Sequence, residues 1–159
     1  MSIIDILKAN ASDYGIEINQ DLAEKLEIYG KLLKEWNDKI NLTAIKDDEG
    51  IAVKHFLDCL LVSKVADFKD GMSVIDVGTG AGFPGLVIAA AYPNVDVTLL
   101  DSTGKKLKAV ADMAQAMENV QFLTVFYGLC TLLISYKLLK KFKLTGFSLF
   151  LQGMLFHCQ

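Results

Sequence analysis

A run of glycines between two carboxylates is the part of this sequence best suited to bind a small molecule. Residues 76–85 read Asp-Val-Gly-Thr-Gly-Ala-Gly-Phe-Pro-Gly, and Asp101 lies further along the chain. A short β-branched segment typical of a buried strand precedes the glycines, and a segment typical of a helix follows them. In that context the bare backbone at Gly78, Gly80 and Gly82 allows a ligand to approach closely.

Two classes of ligand fit this glycine pattern. Gly80, Gly82 and Gly85 have the spacing of a dinucleotide-binding loop, in which a pyrophosphate lies over the helix N-terminus. Gly78, Gly80 and Gly82 equally have the spacing of a loop that binds S-adenosylmethionine. Asp76 favours the second class, because a carboxylate there can face the ammonium group of this methyl donor and would be poorly placed beside a pyrophosphate.

Asp101 and Phe83 are further candidates for the same site, and each has an alternative role. Asp101 closes a predicted second strand, where its carboxylate can accept hydrogen bonds from both ribose hydroxyls of either ligand. It could instead cap the helix that follows Ser102. Phe83 could line the adenosine side of the pocket, or it could anchor the helix after the loop.

The surrounding sequence predicts helices first and then a parallel sheet. Ser2 and Asp5 form a capping-box pattern, and Asn19 precedes a strongly amphipathic second helix. A third helix is predicted at about residues 48–65. Strands and helices then alternate, with strands at 73–77, 96–100 and 120–125 and helices at 84–91 and 103–117. This order predicts an α/β fold with a parallel sheet.

Composition limits how the chain could bind its partners. The formal net charge is -3, and all sixteen basic residues are Lys, so any contact with RNA would depend on point charges. The three cysteines lack the spacing of a metal site, so we expect no metal. The amino terminus carries Asp5 and Lys8 within a mixed pattern, from which we expect no signal peptide.

The end of the sequence differs from the rest. All nineteen acidic residues lie at or before Glu118, and two apolar stretches follow, separated by a lysine cluster. Neither stretch reaches the length of about twenty residues that spans a bilayer. The two apolar stretches and the lysine cluster between them could lie at a lipid surface, so a membrane-associated fragment is an alternative, but their lengths argue against spanning.

Four segments together resemble the bacterial 16S ribosomal RNA guanine-N7 methyltransferase family, also called glucose-inhibited division protein B. They are residues 40–45, 54–58, 76–85 and 99–102, and the resemblance covers about residues 1–123. It implies a cytoplasmic enzyme that transfers a methyl group from S-adenosylmethionine to N7 of a guanine in 16S ribosomal RNA. The implied fold is the Rossmann-like methyltransferase fold with an N-terminal helical cap, here incomplete.

The resemblance also implies which residues hold the donor. These are Gly78 and Phe83, with Gly80, Gly82 and Asp101 lining the same pocket, and Asp76 joins them on the chemical argument above. Guanine N7 already carries an in-plane lone pair, so its attack on a sulfonium methyl needs no general base. We therefore assign no catalytic residue, and we predict that His55 is a helix residue hydrogen-bonded to a neighbouring loop.

The resemblance ends near Leu123. Family members continue with an Arg-Ala-Glu segment and a later arginine that helps to close the donor site, whereas this chain contains no Arg. We expect a helical region at 1–70, the first half of the methyltransferase sheet at 71–123 and an unmatched tail at 124–159. A reading-frame shift or premature ending would explain the tail, and we expect weak or absent methyl transfer. An NAD-dependent oxidoreductase domain is the other alternative.

Overall fold

The computed structural model describes residues 1–117 and the backbone of a short strand near the end of the chain. The α-helices are α1 Ile3–Ser12, α2 Gln20–Ile40, α3 Asp48–Gly50, α4 Asp58–Leu61, α5 Gly85–Ala91 and α6 Gly104–Ala116. A π-helical segment, Ile51–Leu57, joins α3 to α4, and a 3-10 turn, Val62–Lys64, follows α4. The strands are β1 Ser73–Val77, β2 Asp96–Leu100 and β3 Leu149–Leu151.

The first two helices begin where the sequence predicts. The Ser2 hydroxyl accepts from the Asp5 N–H at 3.1 Å and the Asp5 carboxylate accepts from the Ser2 N–H at 3.0 Å, which completes the capping box. The Asn19 side chain accepts from the Leu22 N–H at 2.9 Å and caps α2. One face of α2 is then buried, and Tyr29 lies on it with no exposed surface.

The third predicted helix is continuous but not uniform. A single α-helix was expected over about 48–65, whereas the chain widens into the π-helical segment at Ile51–Leu57 and tightens into a 3-10 turn at Val62–Lys64. The apolar periodicity shows that a helix is present but does not distinguish the pitch of its turns. The π-helical segment carries His55 and Phe56, which contact the glycine loop. Such segments are frequent at functional sites.

The sheet is parallel, as predicted, and its order is β2-β1-β3. In the register of β1 and β2, Asp76 pairs with Leu99 and Val77 pairs with Leu100. On the other side of β1, Ile75 pairs with Leu149 of β3. The strand predicted at 120–125 lies outside the described residues, so it stays a prediction.

The helical region and the sheet share a core. The largest cluster of buried side chains includes Leu7 and Leu33 from the helical region, Val87 from α5 and Val97 from β2. Helix α2 lies against both α5 and α6. The helices before the sheet therefore support one face of the segment that contains the glycines.

Candidate functional site

The glycine loop, defined as residues 78–85, connects the end of β1 to the start of α5. The predicted strand-to-helix position is therefore confirmed. Gly78, Gly80 and Gly82 have φ angles of 82°, 59° and 104°. Residues with a Cβ rarely adopt such angles, so this backbone path requires glycine at these positions.

Main-chain hydrogen bonds fold the glycine loop onto itself and onto the next strand. The N–H groups of Gly78 and Thr79 both donate to the carbonyl oxygen of Leu100 at 2.8 Å. The N–H groups of Gly82 and Phe83 donate to the carbonyl oxygen of Thr79 at 2.8 and 3.1 Å. These bonds direct much of the loop's donor capacity inward.

Asp76 lies beneath the loop and is 1% exposed. Its Oδ2 accepts hydrogen bonds from the Thr79 hydroxyl at 2.7 Å and from the Gly85 N–H at 3.0 Å. Its Oδ1 is buried and has no hydrogen-bond partner among the described residues. Burial raises the pKa of Asp76 from an ordinary value of 3.8 to about 6, although the two hydrogen bonds oppose this increase.

Asp101 contacts the loop from the second strand. It is 8% exposed, its Oδ2 accepts from the Gly80 N–H at 2.9 Å, and its Oδ1 accepts from the Thr103 N–H at 2.8 Å. The N–H of Thr103 belongs to the residue before α6, so this bond closes a turn and satisfies no N–H of the helix itself. The bond to Gly80 places the carboxylate at the glycine loop, and the helix-capping alternative receives no support from these contacts.

Phe83 packs into a cluster of aromatic rings from the helical region. Its ring stacks on His55 at a centroid distance of 4.4 Å and on Tyr29 at 5.2 Å, with Phe56 at 6.2 Å. Only 8% of Phe83 is exposed. These contacts favour the anchoring role for Phe83, while its contact with adenosine stays a prediction.

His55 is hydrogen-bonded to a neighbouring loop, as predicted. Its Nε2 lies 2.8 Å from the hydroxyl oxygen of Thr43, which also accepts from the Ile45 N–H at 3.1 Å. Burial lowers the pKa of His55, although the nearby Asp58 carboxylate opposes this. The imidazole lies between Thr43 and the Phe83 ring, where burial disfavours its protonated form, so these contacts give His55 a structural role.

Sequence reasoning missed Tyr29 as a residue of this site. Its hydroxyl donates to the carbonyl oxygen of Ala81 at 2.8 Å, across 52 positions of the sequence. The periodicity placed Tyr29 on the buried face of α2. The available signal was its hydroxyl, because a buried tyrosine usually finds a hydrogen-bond partner. The identity of that partner depends on tertiary packing.

With this geometry in place, comparison with known proteins identifies the family. The family described as rRNA small subunit methyltransferase G matches residues 22–125. This chain belongs to that family. The matched range includes the glycine loop, both carboxylates and the aromatic cluster, and the family resemblance proposed from the sequence is confirmed.

Pairwise similarity to individual members of that family supports the same assignment. The protein named ribosomal RNA small subunit methyltransferase G of Clostridium perfringens is 48% identical over 123 residues, which are 76% of this chain and 52% of the relative. That of Clostridium beijerinckii is 50% identical over 107 residues, 67% of this chain and 45% of the relative. That of Caldanaerobacter subterraneus is 41% identical over 114 residues, 72% and 48% of the two chains. The chain spans about half the length of the curated relatives it matches.

Two further features of the described residues concern the membrane-associated alternative and the expected absence of a metal. No helix within residues 1–117 is long and apolar enough to cross a membrane. The described residues also contain no group of three or more His, Cys, Asp or Glu side chains that could hold a metal ion.

Proposed function

We propose that this chain carries the S-adenosylmethionine-binding half of an enzyme that methylates N7 of a guanine in 16S ribosomal RNA. The fold we propose is the Rossmann-like methyltransferase fold, of which the described parallel sheet is part. The relatives named ribosomal RNA small subunit methyltransferase G support this activity, and the chain matches about half of their length. A cytoplasmic location with the ribosome follows from this proposal.

The choice of ligand rests mainly on one observation, namely that most N–H groups of the loop already have hydrogen-bond partners. Six of the seven N–H groups in residues 78–85 already donate within the described residues. A pyrophosphate needs free N–H groups at such a loop. Carboxylates of Asp76 and Asp101 also contact the loop and would repel an anion. Both features favour a ligand with positive charge and disfavour NAD.

S-adenosylmethionine has the charge and the groups that these residues fit. Asp101 would hold the ribose hydroxyls, because each of its oxygens accepts one hydrogen bond and has capacity for another. The half-buried backbone of Gly78 and Gly80 would lie along the methionine part. Asp76 Oδ1, buried without a partner among the described residues, is the acceptor available to an ammonium group.

When bound, the donor supplies a methyl group on a positively charged sulfur. The chain's own residues orient this group, and no described side chain needs to remove a proton, because guanine N7 offers a lone pair. His55 fits this proposal as a residue that supports Phe83 through ring stacking.

The RNA partner would contact lysines at the start of α6. Lys105, Lys106 and Lys108 occupy the first turns of this helix, directly after Asp101 and the end of β2. The ion pairs within the described residues involve Lys25, Lys31, Lys34 and Lys69. The three α6 lysines are therefore left to neutralise phosphates, as point charges beside the proposed donor site.

We further propose that methyl transfer by this chain is weak. The family resemblance implies an arginine that helps to close the donor site, and no arginine occurs in this sequence. The match to the family ends at residue 125. Donor binding by the glycine loop and efficient transfer are therefore separate questions for this chain.

Calorimetric titration with S-adenosylmethionine and with NAD tests the ligand. We expect the methyl donor to bind and NAD not to bind, and a preference for NAD would overturn the proposal. A second assay measures transfer of a labelled methyl group to small ribosomal subunits, with an intact relative as the positive control. Turnover equal to that of the relative would refute weak transfer.

A further inference from the structure

The contact between Tyr29 and the glycine loop goes beyond the motif itself. We propose that Tyr29 is a positioning residue of the donor site, which holds the glycine loop in its binding conformation through the hydrogen bond to Ala81. If so, the helical region contributes directly to the donor site, because α2 supplies this hydrogen bond. The inference rests on the proposed donor-binding function.

The loop's own sequence explains why it needs an external support. Three of its glycines adopt positive φ angles, and glycine backbone can adopt many other conformations at little cost. The carbonyl of Ala81 lies in the middle of the loop, between Gly80 and Gly82. The hydroxyl of Tyr29 donates to it at 2.8 Å from a helix outside the sheet.

Gly82 shows how closely the loop backbone approaches this hydroxyl. A Cβ added at Gly82 would lie 2.7 Å from the Tyr29 oxygen and 3.2 Å from Leu86. Because Gly82 has no side chain, the loop backbone can pack directly against the Tyr29 hydroxyl. The contact between the loop and α2 therefore requires both a glycine at position 82 and a tyrosine at position 29.

The surroundings of Tyr29 fix its orientation. Its side chain has no exposed surface, its ring stacks on Phe83 at 5.2 Å, and the ring of Phe56 lies tilted against it at 5.3 Å. Burial raises the pKa of Tyr29 well above its ordinary value, so the hydroxyl remains a donor throughout the neutral pH range. Because the rings hold the side chain, phenylalanine at this position would remove the hydrogen bond and keep the packing.

The variant Tyr29→Phe in the full chain tests the proposal with a readout that does not need a ligand. Hydrogen exchange of the amides in residues 78–85 should accelerate about fivefold or more, which corresponds to the loss of one hydrogen bond. The amides of α1 should be unaffected. In calorimetry, S-adenosylmethionine should bind about five- to tenfold more weakly to this variant.

Two control variants separate positioning from general destabilisation. Tyr92→Phe also removes a tyrosine hydroxyl, from a ring that packs on Phe68 away from the loop. Leu7→Ala destabilises the protein from a fully buried position in α1. Neither control should change donor affinity as Tyr29→Phe does, when affinity is compared under conditions in which all variants are folded.

A fluorine label on the ring at position 29 provides a second measurement in the folded protein. Its resonance should shift when S-adenosylmethionine is added, because the loop held by this hydroxyl contacts the ligand. Loop exchange and donor affinity in Tyr29→Phe that match wild type, or match Leu7→Ala, would overturn the inference. Failure of wild type to bind the donor would instead count against the proposed function, while the exchange data would still decide the role of Tyr29.

Discussion

The two sides of the glycine loop use the same kinds of residue for different purposes. On the inner side, Asp76 and Gly85 are buried and bonded to each other, and the carboxylate forms part of the loop's foundation. On the outer side, Gly78 and Gly80 are half-buried and Asp101 lies at the loop with acceptor capacity remaining. Substitutions on the inner side should therefore affect folding most, with an added effect on binding at Asp76 through the Oδ1 proposed for the ammonium group. Substitutions on the outer side should mainly affect ligand binding.

Gly85→Ala should have the largest effect on stability. A Cβ at this position would overlap the Leu99 side chain and lie 2.8 Å from Oδ2 and 2.9 Å from Cβ of Asp76. We expect the free energy of unfolding to fall by about 3 kcal/mol, because packed helix and strand cannot accommodate the added carbon. Urea unfolding measures this change.

Gly71→Ala is the matched control for this prediction. Gly71 has a positive φ of 77°, unlike Gly85, and a Cβ there would have no atom within 4 Å. Only backbone strain, about 1 kcal/mol, should result. Equal losses for the two variants would show that the inner side is less tightly packed than the distances indicate.

Asp76→Asn should change the pH dependence of stability by the next largest amount. Burial raises the pKa of Asp76 to about 6 in the folded protein. Between about pH 4 and pH 6 the folded protein therefore binds more protons than the unfolded chain, and the contribution of Asp76 to stability is lost as the pH rises. The shift corresponds to about 2 to 3 kcal/mol between these limits.

The measurement is urea unfolding at a series of pH values. Wild type should lose this increment on going from pH 4 to pH 6, and Asp76→Asn should not, because its amide does not titrate. Asp13→Asn changes the net charge equally at an exposed position and corrects for that change. Parallel stability curves for wild type and Asp76→Asn would contradict a raised pKa of Asp76 in the folded protein.

How much of the fold and site the sequence could predict depends on whether the contacts involved are local or long-range. Periodicity and capping residues located α1 and α2, and the glycine spacing located the strand-to-helix junction, because these signals are local. The bond from Tyr29 to Ala81 joins residues 52 positions apart and depends on how α2 packs. The π-helical pitch of Ile51–Leu57 likewise has no signal in apolar spacing.

Asp101→Asn should separate binding from stability. Asparagine keeps one acceptor oxygen for Gly80 or Thr103 but loses the charge that would strengthen bonds to ribose hydroxyls. We expect S-adenosylmethionine to bind about tenfold more weakly, while the free energy of unfolding falls by only about 1 kcal/mol. Calorimetry and urea unfolding on the same preparation test both values. If the free energy of unfolding falls by more than the free energy of donor binding, Asp101 mainly supports the fold, as the inner-side residues do.

Replacing Lys105, Lys106 and Lys108 together with glutamine should have the smallest effect on the folded protein. A helix N-terminus disfavours cations, so removing them should change stability by no more than about 0.5 kcal/mol or raise it slightly. Donor affinity should be unchanged. Binding to a ribosomal RNA fragment should weaken, and its dependence on salt should become shallower by about one unit of slope for each lost phosphate contact.

The control for this prediction replaces three exposed lysines that precede the sheet, namely Lys8 in α1, Lys46 in the loop before α3 and Lys64 in the 3-10 turn. Both triple variants lower the net charge equally, so a purely global attraction to RNA would weaken binding by the same factor in each. A steeper loss for the α6 variant would instead locate the RNA backbone beside Asp101. That result would indicate that RNA binds next to the proposed donor site, on the outer side of the glycine loop.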